Sequence, residues 1–148
     1  MDKPCVLLVD DNEATCTLVT ALLQRDFTTD VCGDGADAIE KLKTGKYAAI
    51  VLDLLMPPPN GYDVMDALIK SRPEMLKRTV VVTAALSPRE KTRLKDYPIA
   101  DLIAKPFDVE VLLAAVKKCA GEDGSMLGNV ISSGMLLLLA EMIQRRLM

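Results

Sequence analysis

The sequence predicts an α/β fold in which five strand–helix units, (βα)5, form a doubly wound parallel sheet. Five short strand-like runs, most of them apolar and the second of alternating character, are separated by segments whose apolar residues recur at the three- and four-residue spacing of a helix. Half of the 148 residues are hydrophobic and only 3% are aromatic, so we expect one domain with an aliphatic core. Strands that alternate with helices pair in parallel, with helices on both faces and right-handed crossovers.

The five predicted strands cover residues 5–9, 27–32, 49–52, 79–83 and 100–104. The third run, 49–52, is apolar throughout, which is typical of a strand buried on both faces. It stops at Asp53, and a proline-rich loop then leads to Gly61. Asp53 is therefore expected at the carboxyl end of a buried strand, where open α/β sheets bind their ligands.

Capping residues indicate where the helices begin. Asn12 or Asp11 can cap the first helix, and Asp34 can cap the second. The segment 87–90 (Ser-Pro-Arg-Glu) combines a cap, a proline at the first helical position and a capping-box glutamate. It predicts the start of a fourth helix that is mostly polar and half-exposed. Asp108 can cap the fifth helix.

Composition excludes several classes of site and partner. The net charge of −3 and the pI near 5.0 provide no basic footprint for nucleic acid. The absence of histidine excludes a Ser/His/Asp triad, a histidine-ligated zinc and a histidine general base. The four cysteines form no C-x-x-C pair, and Asp10 and Asp11 interrupt the N-terminal apolar run too early for a signal peptide. These features favour a cytoplasmic protein that does not bind nucleic acid.

Reactive side chains follow the ends of four predicted strands. Asp10 and Asp11 follow the first strand, Asp53 follows the third, Thr83 ends the fourth, and Lys105 follows the fifth. These ends converge near the topological switch point of a doubly wound sheet. An acidic cluster without histidine favours Mg²⁺, while an ammonium and a hydroxyl suit a phosphoryl group. With an ordinary pKa of about 3.9, Asp53 would be ionised and able to attack phosphorus.

With these residues, the chain from about residue 3 to residue 120 resembles the receiver domain of two-component response regulators. The matching motifs are the acidic pair Asp10-Asp11, the phosphoacceptor Asp53 with Met56-Pro57 and Gly61 in the loop after it, the switch hydroxyl Thr83, and Lys105-Pro106-Phe107. The resemblance implies a flavodoxin-like sheet with the strand order 2-1-3-4-5. It also implies a cis peptide bond before Pro106.

The resemblance further implies a magnesium-dependent phosphorylation switch. Asp11, Asp53 and the backbone carbonyl of Leu55 would ligate Mg²⁺, and Asp10 would act partly through water. A sensor histidine kinase or phosphotransfer protein would donate the phosphoryl group to Asp53. Lys105 would pair with the phosphate, and Thr83 would turn towards it and change the output surface. Beyond this self-phosphorylation and slow self-dephosphorylation, the protein is not expected to be an enzyme.

The sequence departs from the family pattern in three ways. Leu102 stands where the family usually has an aromatic residue, and nothing in the sequence shows that Tyr97 substitutes for it. Leu55 and Ala85 lie two residues after the acceptor and the switch hydroxyl, where side chains influence the attacking water. Because both are apolar, we predict a long-lived aspartyl phosphate. We expect no output domain after the receiver.

Beyond residue 120 the strand–helix alternation ends. We interpret 1–120 as the receiver domain, 121–125 as a polar linker and 126–148 as an extra apolar C-terminal helix or tail. Five residues of the tail form an apolar helical stripe: Leu127, Ile131, Met135, Leu138 and Met142. Docking on a partner helix or a homodimer is the favoured interpretation. Membrane contact and a disordered or shortened tail remain alternatives.

Two other functions are weighed against the switch. A receiver-like scaffold that is not phosphorylated would bind partners or itself through the tail and the polar fourth helix. Leu102 and the apolar tail favour it, and the intact acidic site opposes it. A metal-dependent phosphatase would need a general acid in the loop after Asp53, where Leu55 lies. The basic residues of the fourth helix are either a solvated face or part of a partner surface: Arg89, Lys91, Arg93 and Lys95.

Overall fold

The computed structural model describes residues 3–121, and within them the chain alternates strictly between strands and helices. The strands are β1 (Cys5–Val9), β2 (Thr28–Cys32), β3 (Ala49–Leu52), β4 (Thr79–Thr83) and β5 (Asp101–Ala104). The helices are α1 (Glu13–Leu23), α2 (Gly35–Leu42), α3 (Gly61–Ser71), α4 (Pro88–Leu94) and α5 (Val109–Gly121). A 3-10 helix, Pro73–Arg78, leads into β4. The proposed apolar helix 126–148 lies outside the described residues.

The five strands form one parallel sheet in the order β2-β1-β3-β4-β5. This confirms both the predicted (βα)5 alternation and the order that the family resemblance implies. The register pairs Val9 with Leu52, and Leu52 with Val81. The residues that follow β1 and β3 therefore emerge side by side at the carboxyl edge of the sheet.

Alternate residues of the strands pack into two apolar layers, one on each face of the sheet. Leu7 and Leu52 point into a layer closed by α2, α3 and α4, whereas Leu8 points into a layer closed by α1 and α5. All three side chains are at most 1% exposed. No helix within residues 3–121 is long and apolar enough to cross a lipid bilayer.

The helix caps agree with the sequence except at one glutamate. Asn12 caps α1, Asp34 caps α2 and Ser87 caps α4, each by accepting a hydrogen bond from a backbone N–H. The capping box predicted for Glu90 is wrong, because its carboxylate accepts a hydrogen bond from the Tyr62 hydroxyl on α3 instead. The polar, exposed character predicted for α4 is confirmed, since it buries a single side chain, Leu94 at 3% exposure.

The two apolar layers make a direct prediction for stability. Leu68 on α3 is 1% exposed, whereas Leu18 on α1 is 49% exposed. Because Leu68→Ala leaves a cavity, we expect it to lower the free energy of unfolding by about 2–5 kcal/mol. Leu18→Ala should change it by about 0.5 kcal/mol or less. Urea unfolding measures both values, and equal losses in the two variants would contradict this packing.

Candidate functional site

Two aspartates lie side by side at the carboxyl edge of the sheet. The Asp53 N–H donates to the Val9 carbonyl at 2.9 Å, and the Asp10 N–H donates to the Cys32 carbonyl at 3.1 Å. These bonds continue the sheet pattern one residue beyond β1 and β3, and so they fix both backbones. Asp10 is 3% exposed and Asp53 is 6% exposed, although both are ionisable side chains.

Lys105 joins the two aspartates from the edge of the sheet. The backbone N–H of Lys105 donates to the Thr83 carbonyl at 2.9 Å, which fixes the residue after β5 beside the end of β4. From there the ammonium Nζ reaches Asp10 Oδ2 at 2.7 Å and Asp53 Oδ2 at 3.3 Å. The Lys105–Pro106 peptide bond is cis, which confirms the expectation drawn from the resemblance.

Backbone N–H groups hold the remaining carboxylate oxygens. Asp10 Oδ1 accepts from the Asn12 N–H at 2.9 Å, and Asp53 Oδ1 accepts from the Leu55 N–H at 3.1 Å. Each aspartate thus divides its two oxygens between the backbone and Lys105. Leu55, whose carbonyl is an expected metal ligand, therefore belongs to the same turn as the Asp53 carboxylate.

The three acidic residues can share one cation. Asp10, Asp11 and Asp53 each offer one carboxylate oxygen, and these oxygens lie within 4.8 Å of one another. Asp11 is exposed, so this group opens to solvent on one side. Oxygen ligands from carboxylates, completed by water, are the set that Mg²⁺ prefers. The donor set therefore fits a single magnesium ion.

The electrostatics of this group differ from the sequence expectation for Asp53. Burial raises the pKa of Asp53, and the nearby charge of Asp10 raises it further. The Leu55 N–H and Lys105 lower the pKa of Asp53 but do not compensate. The expectation of an ordinary pKa is therefore wrong. Burial also opposes the charge of Lys105, but its hydrogen bond to Asp10 and the charge of Asp53 raise the pKa of Lys105 overall.

Thr83 lies at the carboxyl end of β4, next to β3, and is fully buried. Its hydroxyl oxygen accepts the Ala85 N–H at 3.2 Å. Among the described residues, its hydroxyl contact is thus with the loop 84–87 that leads to α4. The structure therefore brings Asp10, Asp11, Asp53 and Lys105 together, whereas Thr83 ends β4 and its hydroxyl contacts the loop that leads to α4.

Two glycines give the loop 53–61 its close packing. A Cβ on Gly61 would lie 2.5 Å from the Asp53 carbonyl oxygen and 2.7 Å from the Leu54 Cα. A Cβ on Gly35, at the start of α2, would collide with the Pro59 carbonyl oxygen. Both positions need the absence of a side chain. The sequence pattern included Gly61, but it gave no signal for the close contact between Gly35 and Pro59.

A cleft of about 460 Å³ opens beside the acidic group. Its walls are formed by Asp11, Leu54, Leu55, Met56, Pro57, Asn60, Tyr62, Ala85, Glu90 and Arg93. Leu55 and Ala85 belong to this lining, as expected for residues near an attacking water. The sequence reasoning missed Tyr62 and assigned Glu90 to a helix cap. The available signal was the rarity of aromatic residues, which number five in the whole chain (three Tyr and two Phe).

Comparison with known proteins identifies sequence relatives over most of the described residues. A family model of the response regulator receiver domain matches residues 6–117. Response regulator ArlR of Staphylococcus aureus is 31% identical over 113 residues, which are 76% of this chain and 50% of ArlR. The chain thus spans about half the length of the curated relatives it matches.

Solved structures share the fold. The Francisella response regulator 1452 receiver domain has a TM-score of 0.74 at 24% identity, covering 82% of this chain and 100% of that domain. The non-phosphorylated HemR receiver domain of Leptospira biflexa has a TM-score of 0.70 at 26% identity, covering 80% of this chain and 94% of that domain. The receiver domain of a Pseudomonas aeruginosa sensor histidine kinase has a TM-score of 0.72 at 22% identity, covering 80% of this chain and 98% of that domain. That domain is described with a magnesium ion coordinated in its active-site cleft. The chain therefore belongs to the response regulator receiver domain family.

Proposed function

We propose that this protein is a phosphorylation-controlled switch that accepts a phosphoryl group on Asp53. The observation that carries the proposal is the meeting of three carboxylates within 4.8 Å of one another, with the Lys105 ammonium 3.3 Å from Asp53. A nucleophilic carboxylate, a cation site and a fixed ammonium are the parts that phosphoryl transfer needs. The donor would be a phosphohistidine of a sensor kinase or phosphotransfer protein, or a small acyl phosphate.

The transfer uses groups of this chain in separate roles. A carboxylate oxygen of Asp53 forms a bond to phosphorus while the bond from phosphorus to the donor breaks and the donor keeps that electron pair. Asp11, Asp53 and the Leu55 carbonyl would hold Mg²⁺, with Asp10 acting through water. Bound Mg²⁺ supplies positive charge for the transferring oxygens, as its presence in the Pseudomonas domain supports. Lys105, whose ammonium lies 3.3 Å from Asp53 Oδ2, would pair with the phosphate after transfer.

Phosphorylation would be read out through Thr83. A phosphoryl group adds a charge of roughly −1.5 to −2 and strong hydrogen-bond acceptors. The Thr83 hydroxyl, at the end of the neighbouring strand, would donate to it and draw the loop 84–87 along. Because α4 begins directly after this loop, the surface of α4 would change as a shift between two populations.

The proposed setting follows from the same features. The four cysteines all lie within residues 3–121 and form no disulfide there, which fits a reducing cytoplasm. The segment 126–148, outside the described residues, is our proposed site for a homodimer or a partner helix.

The scaffold function remains the second candidate, since Leu102 packs half-buried against the α2–α3–α4 layer and offers no aromatic ring to rotate.

Acetyl phosphate with Mg²⁺ tests the acceptor directly. Asp53 should attack phosphorus and release acetate, so the intact mass should rise by one phosphoryl group. Asp53→Asn should gain none, because an amide is not a nucleophile of this kind. Asp96→Asn is the matched control, since Asp96 is an exposed aspartate in the turn after α4. If the parent protein gains no mass, the scaffold function is favoured. If Asp53→Asn gains the mass of a phosphoryl group, the phosphorylated residue is not Asp53.

The apolar lining of the cleft predicts a slow loss of the phosphoryl group. Leu55 is 54% exposed at the cleft, where it offers the attacking water no hydrogen bond. Leu55→Asn would supply one, so the phosphorylated state should decay roughly tenfold faster. Leu18→Asn makes the same change at an exposed position on α1 and should leave the decay unchanged. Mass spectrometry over time measures the decay, and a parent half-life of seconds would contradict the prediction.

A further inference from the structure

We propose that Tyr62 and Glu90 are positioning residues that hold α4 to α3 and thereby oppose the movement of the Thr83 loop. We call the hydrogen bond between them the α3–α4 latch. The inference rests on the proposed function, because it concerns how readily the same switch reaches its phosphorylated arrangement. It assigns a role to contacts at the cleft that the transfer chemistry itself does not use.

The latch joins a buried phenol to a carboxylate. The Tyr62 hydroxyl donates to a Glu90 carboxylate oxygen, and Tyr62 is 6% exposed. The Arg93 guanidinium carbon lies 3.5 Å from the centre of the Tyr62 ring, in a cation–π contact. Burial and the charge of Glu90 raise the pKa of Tyr62 to about 12, so the phenol keeps its proton. Hydrogen bonds to ionised acceptors are stronger than neutral ones.

A second contact ties the same two elements together. The Tyr97 ring, three residues after α4, lies 6.0 Å from the Tyr62 ring, within the range of favourable aromatic pairs. Its hydroxyl donates to Asp66 Oδ1 on α3 at 2.7 Å. Both ends of α4 are thus bound to α3, and Tyr62 is the residue on which the contacts converge.

Little else fixes the position of α4. It is seven residues long and buries a single side chain, Leu94. Elements with few buried apolar contacts have the lowest local stability and move first. The position of α4 therefore depends strongly on its polar contacts with α3.

The latch connects the acceptor to the switch hydroxyl. Tyr62 follows Gly61, whose Cα packs so closely on the Asp53 carbonyl that a Cβ would lie 2.5 Å from its oxygen. The start of α3 is therefore fixed relative to Asp53. Thr83, in contrast, holds the loop that leads to α4. When Thr83 turns towards a phosphoryl group, α4 must shift relative to α3, and the latch resists that shift.

This arrangement couples phosphorylation to the position of α4 without using the side chain of residue 102. Because the two states differ in the latch, breaking the latch favours the phosphorylated arrangement, and a phosphoryl mimic favours the broken latch. The aromatic side chain involved lies on α3, beside the acceptor, rather than on β5. Leu102 is then compatible with a working switch.

The affinity for beryllofluoride in the presence of Mg²⁺ tests the latch, because this ion mimics a phosphoryl group on a carboxylate. Tyr62→Phe keeps the ring that packs with Arg93 and Tyr97 and removes only the hydroxyl. We expect the dissociation constant to fall roughly tenfold, the value of one hydrogen bond to a charged group. Fluorine NMR or calorimetry measures it. Tyr47→Phe is the matched control, since it removes a hydroxyl that donates to Asp30 at 2.8 Å, far along the chain from α4.

A second variant separates the latch from a simple charge effect. Glu90→Ala removes the acceptor and also a negative charge at the cleft, so it should tighten binding on its own. In the Tyr62→Phe background, Glu90→Ala should raise the affinity for beryllofluoride by a smaller factor, because the shared hydrogen bond is already absent. Equal gains in both backgrounds, or a Tyr62→Phe affinity no tighter than that of Tyr47→Phe, would overturn the latch while leaving the switch intact. A parent protein that binds no beryllofluoride and accepts no phosphoryl group would overturn both proposals.

Discussion

Lys105 meets the carboxylates of Asp10 and Asp53 at the carboxyl edge of the sheet, and the rest of the candidate site is arranged around this contact. Two buried negative charges share one ammonium at 2.7 and 3.3 Å, and Asp11 adds a third carboxylate oxygen within 4.8 Å of the others. Removing charges from water is costly, and one ammonium does not balance three carboxylates. Further positive charge would therefore stabilise the group, and the parallel pairing of β1 with β3 brings Asp10 and Asp53 to the same edge of the sheet.

The raised pKa of Asp53 means that this site weakens the fold at neutral pH. Below the pKa of both the folded and the unfolded chain, the proton is bound in each and Asp53 makes no difference. As the pH rises, the unfolded chain loses that proton first, so the ionised form favours unfolding. The loss of stability is complete above the folded pKa. A cation that binds the folded chain offsets it by mass action.

Much of this architecture can be predicted from the sequence, for identifiable reasons. The meeting of Asp53 and Lys105 is predictable because each directly follows a strand-like run, and strand alternation implies a shared sheet edge. The strand order needed the family resemblance, since alternation alone does not place β2 outside β1. The partner of Glu90 was missed because Ser87 offers a local capping pattern, and a tertiary contact with a residue 28 positions away competes with it. The contact of Gly35 with Pro59 and the pKa of Asp53 depend on packing that no local pattern encodes.

The titration of the Asp53 carboxyl group tests the central claim most directly. Carbon NMR of the labelled side chain, with Asp53→Asn identifying the resonance, would follow its protonation as the pH falls with and without Mg²⁺. Without Mg²⁺, the carboxyl should titrate above its ordinary value of about 3.9, and Mg²⁺ should move the titration to lower pH. A carboxyl that titrates at or below the ordinary value without the ion, or that does not respond to Mg²⁺, would contradict a buried acidic group awaiting positive charge.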